Sequence, residues 1–222
     1  MNEVTLVQTK KKFIPALGYD WLTGFFDLVV KLTMPEKKFR TKLIDNIAPQ
    51  NGEIILEFGF GTGQNLILLQ QRNGNTQLIG VDIDPKVKAI AAHKMGKLGL
   101  DLPLDLYDGE TFPYDDNSFD KVFSSLVFHQ LDKNTKLACL SEIYRVLKPG
   151  GKLIVGDWGP ARSTLMRWAF YLVQIVDGFK TTNDNVNGLL PGFMKQAGFK
   201  NVIESGFMNT KIGTYCYYSA IK

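Results

Sequence analysis

Glu57-Phe58-Gly59-Phe60-Gly61-Thr62-Gly63 follows a short apolar run, with a glycine at every second place from Gly59 to Gly63. Glycines so spaced let a strand turn sharply into a helix, and they let a ligand approach the backbone unobstructed. The first amides of the following helix, from about Gln64, point into the same crevice. On its own such a turn is weak evidence, since a tight strand-to-helix connection with no ligand is the alternative. A dinucleotide fingerprint, G-x-G-x-x-G, needs glycine at 64, where this chain has Gln64. The pattern E-x-G-x-G-x-G suits a ligand with no pyrophosphate to cradle. The next apolar run ends in Asp82-Ile83-Asp84-Pro85. An acid at the tip of a second strand accepts from both hydroxyls of a ribose. Asp84, before Pro85, is placed to cap the next helix. The ligand implied carries a ribose and lies across two strand ends.

These residues need a parallel sheet behind them. Strands are expected at 53–58, 77–82, 102–107, 119–125 and 152–157, with helices after Pro85 to about 97 and over 134–147. Strands separated by helices of 10–15 residues imply right-handed crossovers and a mostly parallel sheet. Residues 13–48 read as helical and 161–177 as an apolar helix, followed by a shorter helix at 185–197. Two strand-like runs, 201–207 and 213–221, are joined by a short turn and must pair antiparallel. The fold class expected is α/β, a doubly wound, mostly parallel seven-stranded sheet with an antiparallel C-terminal hairpin. It forms one domain over 1–222, with 1–48 a helical cap and 161–197 a lid region.

Composition agrees. Of 222 residues, 45% are hydrophobic and 22% charged, enough for a core and unlike a disordered chain. The net charge is +4, far from the basic stripe of a dedicated nucleic-acid binder, so no nucleic acid is expected as partner. Cys139 and Cys216 suit neither a disulfide framework nor a zinc site, and a reduced, cytoplasmic setting is expected, with no metal. The start lacks the apolar core of a signal peptide. The apolar stretch 169–176 is too short to span a bilayer, though peripheral contact with a membrane stays open. Oligomeric state is not legible.

Four segments together resemble the class I S-adenosylmethionine-dependent methyltransferases, in the ubiquinone/menaquinone small-molecule group. They are Glu57–Gly63, Gly80–Pro85, the acidic loop and lead-in Asp108–Asp120, and Glu142–Asp157, whose Lys148-Pro149-Gly150-Gly151 enters the fifth strand. Phe60 departs from the small residue or Cys common there, a change that affects packing. The resemblance implies S-adenosylmethionine as cofactor and S-adenosylhomocysteine as product. It implies that Gly59, Gly61 and Gly63 admit the methionine part and that Glu57 lies near its ammonium, directly or through water. Asp82 holds the ribose, Ile83 packs on the adenine, and Asp108 accepts from the adenine amino group beside the Gly109 and Glu110 backbone. Asn65 and Ser124 complete the cofactor set. For Asp108 the alternative is a simple turn aspartate.

The acceptor is less marked, because an activated sulfonium needs mainly alignment. No Asn-Pro-Pro-Tyr-like motif follows the fourth strand, which argues against the usual exocyclic-amine modifiers of nucleic acid. His129, just past that strand, is either a general base or a structural histidine at a helix start. Tyr19, Trp21, Trp158 and Trp168 are candidates to touch the acceptor, and each is equally readable as core packing. The apolar bulk of 161–177 favours a small hydrophobic acceptor such as a quinone precursor or lipid. The alternatives are RNA or protein methylation, and a non-catalytic cofactor-binding scaffold.

Overall fold

The computed structural model describes residues 34–222. The expectations placed on Tyr19, Trp21 and the cap before residue 34 lie outside the described residues. The first described helix, α1 (Glu36–Ile47), buries Phe39, Arg40, Leu43, Ile44 and Ile47 at three- and four-residue spacing. It stops at Ala48, which takes a left-handed conformation (φ 46°) before Pro49. The phenol of Tyr217 donates to the Phe39 carbonyl (3.0 Å) and pins α1 to the sheet.

Thereafter strands and helices alternate as β1 (Ile54–Phe58), α2 (Gln64–Arg72), β2 (Gln77–Asp82), α3 (Pro85–Gly96), β3 (Leu104–Leu106) and β4 (Phe119–Ser125). A one-turn 3-10 helix (Phe128–Gln130) leads to α4 (Lys133–Val146) and β5 (Leu147–Trp158). Then come α5 (Thr164–Asp177), α6 (Phe179–Val186), α7 (Leu190–Gln196), β6 (Lys200–Asn209) and β7 (Thr214–Ile221). The sheet order is β3-β2-β1-β4-β5-β7-β6. The first five strands are parallel, and β7 runs antiparallel between β5 and β6. The expected α/β fold with an antiparallel end is present. Helices cover both faces, so β1 and β7 read as near-continuous apolar runs.

Two boundaries differ from expectation. The fifth strand starts at Leu147, five residues early, because Leu147 already pairs with Phe119 across an irregular register and Lys222 donates to the Gly151 carbonyl (3.0 Å). The helix expected at 185–197 starts only at Leu190, as α7, and a separate helix, α6, precedes it over Phe179–Val186. Gly188 (φ 70°) turns the chain between them, and Pro191 suits only the first turn of a new helix. Crossovers place the carboxyl ends of β1, β2, β4 and β5 along one rim, where ligands bind in such sheets. Among the described residues no helix is long and apolar enough to cross a membrane.

Candidate active site

Gly59, Gly61 and Gly63 all have positive φ (72°, 52° and 74°), which an L-residue rarely adopts. A Cβ at Gly59 would collide with the Val127 side chain, whereas one at Gly61 would meet nothing within 4 Å. The turn is therefore closed on the protein side and open toward the rim at its middle. Phe60 folds away from that opening into the core, against Gly80, where a Cβ would stand 2.7 Å from its ring. Its unusual bulk is absorbed by a glycine on β2, consistent with an effect on packing alone.

Glu57, the last but one residue of β1, is buried. Its Oε1 accepts from the Asn65 amide (2.7 Å), and Asn65 Oδ1 in turn accepts from Arg40 Nη1 (2.6 Å). Arg40 is held from its other side by Glu36 (2.9 Å). The second carboxylate oxygen, Oε2, is buried with no hydrogen-bond partner. Burial pushes the Glu57 carboxyl up to about 8, although the Asn65 hydrogen bond and the Arg40 charge pull the other way. A buried acid with one oxygen lacking a donor suits a cationic ligand group, and the α-ammonium of S-adenosylmethionine is one. Asn65 was among the residues expected here; Arg40 was not, since only folding brings α1 to the glycine turn.

At the tip of β2, Asp82 ties the turn together. Its Oδ2 accepts from the Gly61 amide (2.9 Å), and its Oδ1 from the amides of Ile83 (2.7 Å) and Asp84 (3.1 Å). Burial raises the pKa of this carboxyl, with those three amides opposing. Asp84 caps α3 by accepting from the Lys86 amide (2.8 Å), as its place before Pro85 implies. Gly109 lies against Ile83, where a Cβ would stand 3.0 Å from Cδ1, so the segment after β3 and the tip of β2 adjoin. Asp108 Oδ1 accepts from the Glu110 and Thr111 amides (2.8 and 2.9 Å), which lowers its pKa and gives it the turn role in full. Ser124 is buried on β4 beside Phe58 and Val155, with its Oγ unpartnered.

His129 is buried in the 3-10 turn after β4. Its Nδ1 lies 2.7 Å from Asp157 Oδ1, and its Nε2 3.5 Å from Asp177 Oδ2 at the end of α5. Asp157 also accepts from the backbone amides of His129 (3.2 Å) and Trp158 (2.7 Å). Burial alone would depress the imidazolium, but the Asp157 charge and hydrogen bond, with Asp177 adding, hold it up to about 9. At neutral pH the ring is therefore a cation between two carboxylates, with no lone pair to take a proton. Lys136, fully buried on α4, sits nearby, donating to the Thr181 carbonyl (2.7 Å) and Asp184 (3.2 Å) of α6. The cluster fastens α5 and α6 to the sheet. Asp177 was missed, although it is the only acid in a largely apolar helix.

Trp158 is buried at the end of β5, edge-on to Phe170 of α5 (5.4 Å) and to Tyr215 (6.4 Å). The Tyr215 hydroxyl lies 2.8 Å from Ser125 Oγ, a second pair the sequence did not single out. Trp168 is not brought to this rim: α5 turns Phe170 inward and leaves Trp168 exposed on the opposite arc. Among the described residues no group of three or more His, Cys, Asp or Glu side chains is placed to hold a metal ion.

Sheet order, a reversed penultimate strand, an open glycine turn and acids at the ends of β1 and β2 together define the class I S-adenosylmethionine-dependent methyltransferase fold. Residues 56–155 match the family model of the methyltransferase domain. It is similar to demethylmenaquinone methyltransferase of Thermus thermophilus, 30% identical over 137 residues, which is 61% of each chain. It is also similar to the ubiquinone/menaquinone biosynthesis C-methyltransferase of Chromobacterium violaceum, 36% identical over 60% of this chain and 55% of that one. The matched stretch thus spans less than two thirds of these relatives. Among solved structures, an S-adenosylmethionine-dependent methyltransferase from Aquifex aeolicus shares the fold with a TM-score of 0.63 and 20% identity, over 88% of this chain and 98% of that chain.

Proposed function

We propose that this chain transfers the methyl group of S-adenosylmethionine to a small hydrophobic acceptor of the quinone-precursor or lipid class. The single observation that carries the cofactor half is Glu57, buried with one oxygen lacking a donor beside an open glycine turn. When bound, S-adenosylmethionine supplies an activated methyl on a sulfonium; the chain has to bind, orient and exclude water. Glu57 takes the α-ammonium, with Asn65 and Arg40 fixing the angle of its carboxylate. Gly59, Gly61 and Gly63 leave room for the methionine part. Asp82 holds the ribose hydroxyls with the lone pairs its three amides leave free. Ile83 and the Gly109–Glu110 backbone flank the adenine, with Asp108 shaping that turn and reaching the amino group with its other oxygen. Ser124, its hydroxyl unpartnered, completes the floor.

For the acceptor, the support is the aromatic wall of Trp158, Phe170 and Tyr215 beyond β5, together with the names of the two quinone-pathway relatives. His129, as a cation between Asp157 and Asp177, orients the end of β5 rather than abstracting a proton. A general-base role requires it first to lose the proton that both carboxylates hold. Two buried free cysteines suit a reduced, cytoplasmic setting. A hydrophobic acceptor also implies contact with the membrane in which it dissolves.

Two measurements test this reading. Calorimetry is expected to show binding of S-adenosylmethionine and S-adenosylhomocysteine and none of NAD; tight NAD binding overturns it. Labelled methyl should enter a lipid-soluble product when demethylated quinols, RNA and protein are offered side by side; label in RNA or protein alone refutes the acceptor class. For the ribose, Asp82→Asn removes the charge and keeps one acceptor oxygen, enough for the Ile83 and Asp84 amides but not also for that of Gly61. It should weaken cofactor binding by about 1.5–3 kcal/mol, the range for a hydrogen bond to a charged group. Unchanged affinity would remove Asp82 from the site.

A further inference from the structure

Helix α5 is apolar on both sides. Its inner arc carries Phe170 and Val173, buried, with Gln174 and Asp177 joined to α6 and His129. Its outer arc carries Leu165 (79% exposed), Trp168 (68%), Leu172 (63%) and Ile175 (69%), at three- and four-residue spacing. The row continues in rings: Trp168 lies 5.7 Å from Tyr171, and Tyr171 lies 6.2 Å from Phe179, itself 48% exposed. A helix that is apolar all round is ordinarily enclosed on every side. Here one side has no partner among the described residues, and so large a contiguous apolar patch marks an interaction surface.

The charges around the patch identify what covers it. Residues 161–183 hold Arg162, Arg167 and Lys180 and a single acid, Asp177, which faces inward to His129. Arg162 is paired with Glu204 of β6, while Arg167, half-buried, stacks over the Tyr171 ring at 4.3 Å and donates to Gln174 (2.8 Å), and Lys180 is exposed. A second copy docked through the same face, in either direction, sets basic side chains against basic ones with no acid on the arc to answer them. An anionic lipid surface answers Arg167 and Lys180, and the interior of that surface takes the leucines and isoleucine. Tryptophan and tyrosine are the residues enriched at the headgroup level. Fourteen residues make a helix of about 21 Å, too short for a hydrocarbon core of about 30 Å, so α5 lies in the plane of the interface.

We propose that the outward face of α5 (Leu165, Trp168, Leu172 and Ile175, flanked by Arg167 and Lys180) docks this protein on an anionic membrane surface. Its inward face packs Phe170 against Trp158 at the carboxyl end of β5, on the rim whose crevice takes ligands in such sheets. The helix thus sets that crevice next to the bilayer, from which a dissolved acceptor enters. This rests on the hydrophobic-acceptor reading above only for what is delivered; docking itself is measured without acceptor.

The test is co-sedimentation of the full chain with vesicles of phosphatidylcholine alone, or of phosphatidylcholine with one third phosphatidylglycerol. Binding is expected to tighten at least tenfold with the anionic lipid, and the gain should vanish at high salt. The triple variant Leu165→Ser, Leu172→Ser, Ile175→Ser should lose at least tenfold on both vesicles, with S-adenosylhomocysteine affinity and Tm unchanged. Failure to bind anionic vesicles, or equal binding by the variant, overturns the proposal. So does a lipid-free dimer that the variant dissociates. A fall in Tm in the variant shows that other parts of the chain cover the face, and also overturns it. A chain that methylates a quinol in detergent yet ignores vesicles fails this inference alone.

Discussion

Replacing Glu57 by Gln is expected to weaken S-adenosylmethionine binding about 10- to 100-fold at pH 8.5 and to abolish the pH dependence of that binding. With the carboxyl pushed up to about 8, the ligand-free protein at pH 7 carries Glu57 mostly protonated. The cofactor ammonium, placed at the unpartnered Oε2, favours the ionised form. Binding at pH 7 should then release close to one proton, measurable by calorimetry in buffers of different ionisation enthalpy. Wild-type affinity should rise about tenfold per pH unit up to about pH 8, the slope for one linked proton. Gln keeps the acceptor for Asn65 and carries no charge, so the fold persists while proton release and slope disappear. The loss of affinity corresponds to about 1.5–3 kcal/mol for one hydrogen bond to a charged group. Without cofactor the same variant should be the more stable protein at high pH. A carboxyl whose pKa folding raises costs stability as pH climbs from 4.5 through about 8, and Gln has nothing to ionise. An unchanged proton count would assign the release to another group, Asp82 being the nearest raised carboxyl.

What the chain reveals before folding depends on how far apart cooperating residues stand. The glycine turn, Asp82 with its helix-capping neighbour Asp84, and the loop from Asp108 are runs of consecutive residues, each beside a strand end that periodicity already marks. Strands β2 and β4 fall where the apolar pattern puts them. The support beneath those residues is a different matter. Arg40 reaches Asn65 across 25 positions, and His129 meets Asp157 across 28. No spacing rule joins such residues, because only the packing of α1 and α5 on the sheet makes them neighbours. Helix phase fails for a related reason. With apolar side chains on both arcs of α5, periodicity cannot say whether Phe170 or Trp168 faces the sheet, and the polar pins Gln174 and Asp177 decide it. The early start of β5 was hidden by Pro149-Gly150-Gly151, which reads as a break and instead carries the strand through an irregular register.

Asp157→Asn is expected to cost about 3 kcal/mol of stability at or below pH 6.5 and progressively less toward and beyond pH 9. Linkage sets the scale: Asp157 and Asp177 together, against the cost of burial, lift the histidine from 6.5 to about 9, roughly 3 kcal/mol in favour of its charged form, with Asp157 the larger contributor. Because folding raises this pKa, the contribution is complete below 6.5 and fades as pH rises through about 9. Asn keeps the shape and one acceptor oxygen, for the Trp158 amide, and sets its NH2 against the His129 amide that Oδ2 had accepted, so a lost hydrogen bond independent of pH adds to the pH-dependent part. Glu57, on which Asp157 has no influence, is shared by both proteins and cancels in the difference, whereas Lys136 also loses the support of the Asp157 charge. Urea unfolding of both proteins at pH 6, 7.5 and 9.5 gives the three points needed. A constant difference across them would show His129 uncharged in the wild type, and its ring would then be free to serve as a base. Asp177→Asn should act in the same direction with a smaller effect, since its oxygen stands 3.5 Å from Nε2 against 2.7 Å for the Asp157 contact. It removes the tie at the α5 end rather than at the sheet. Loosening α5 there should raise the Michaelis constant for the acceptor while leaving cofactor affinity unaltered, because no cofactor-binding group named here lies on α5.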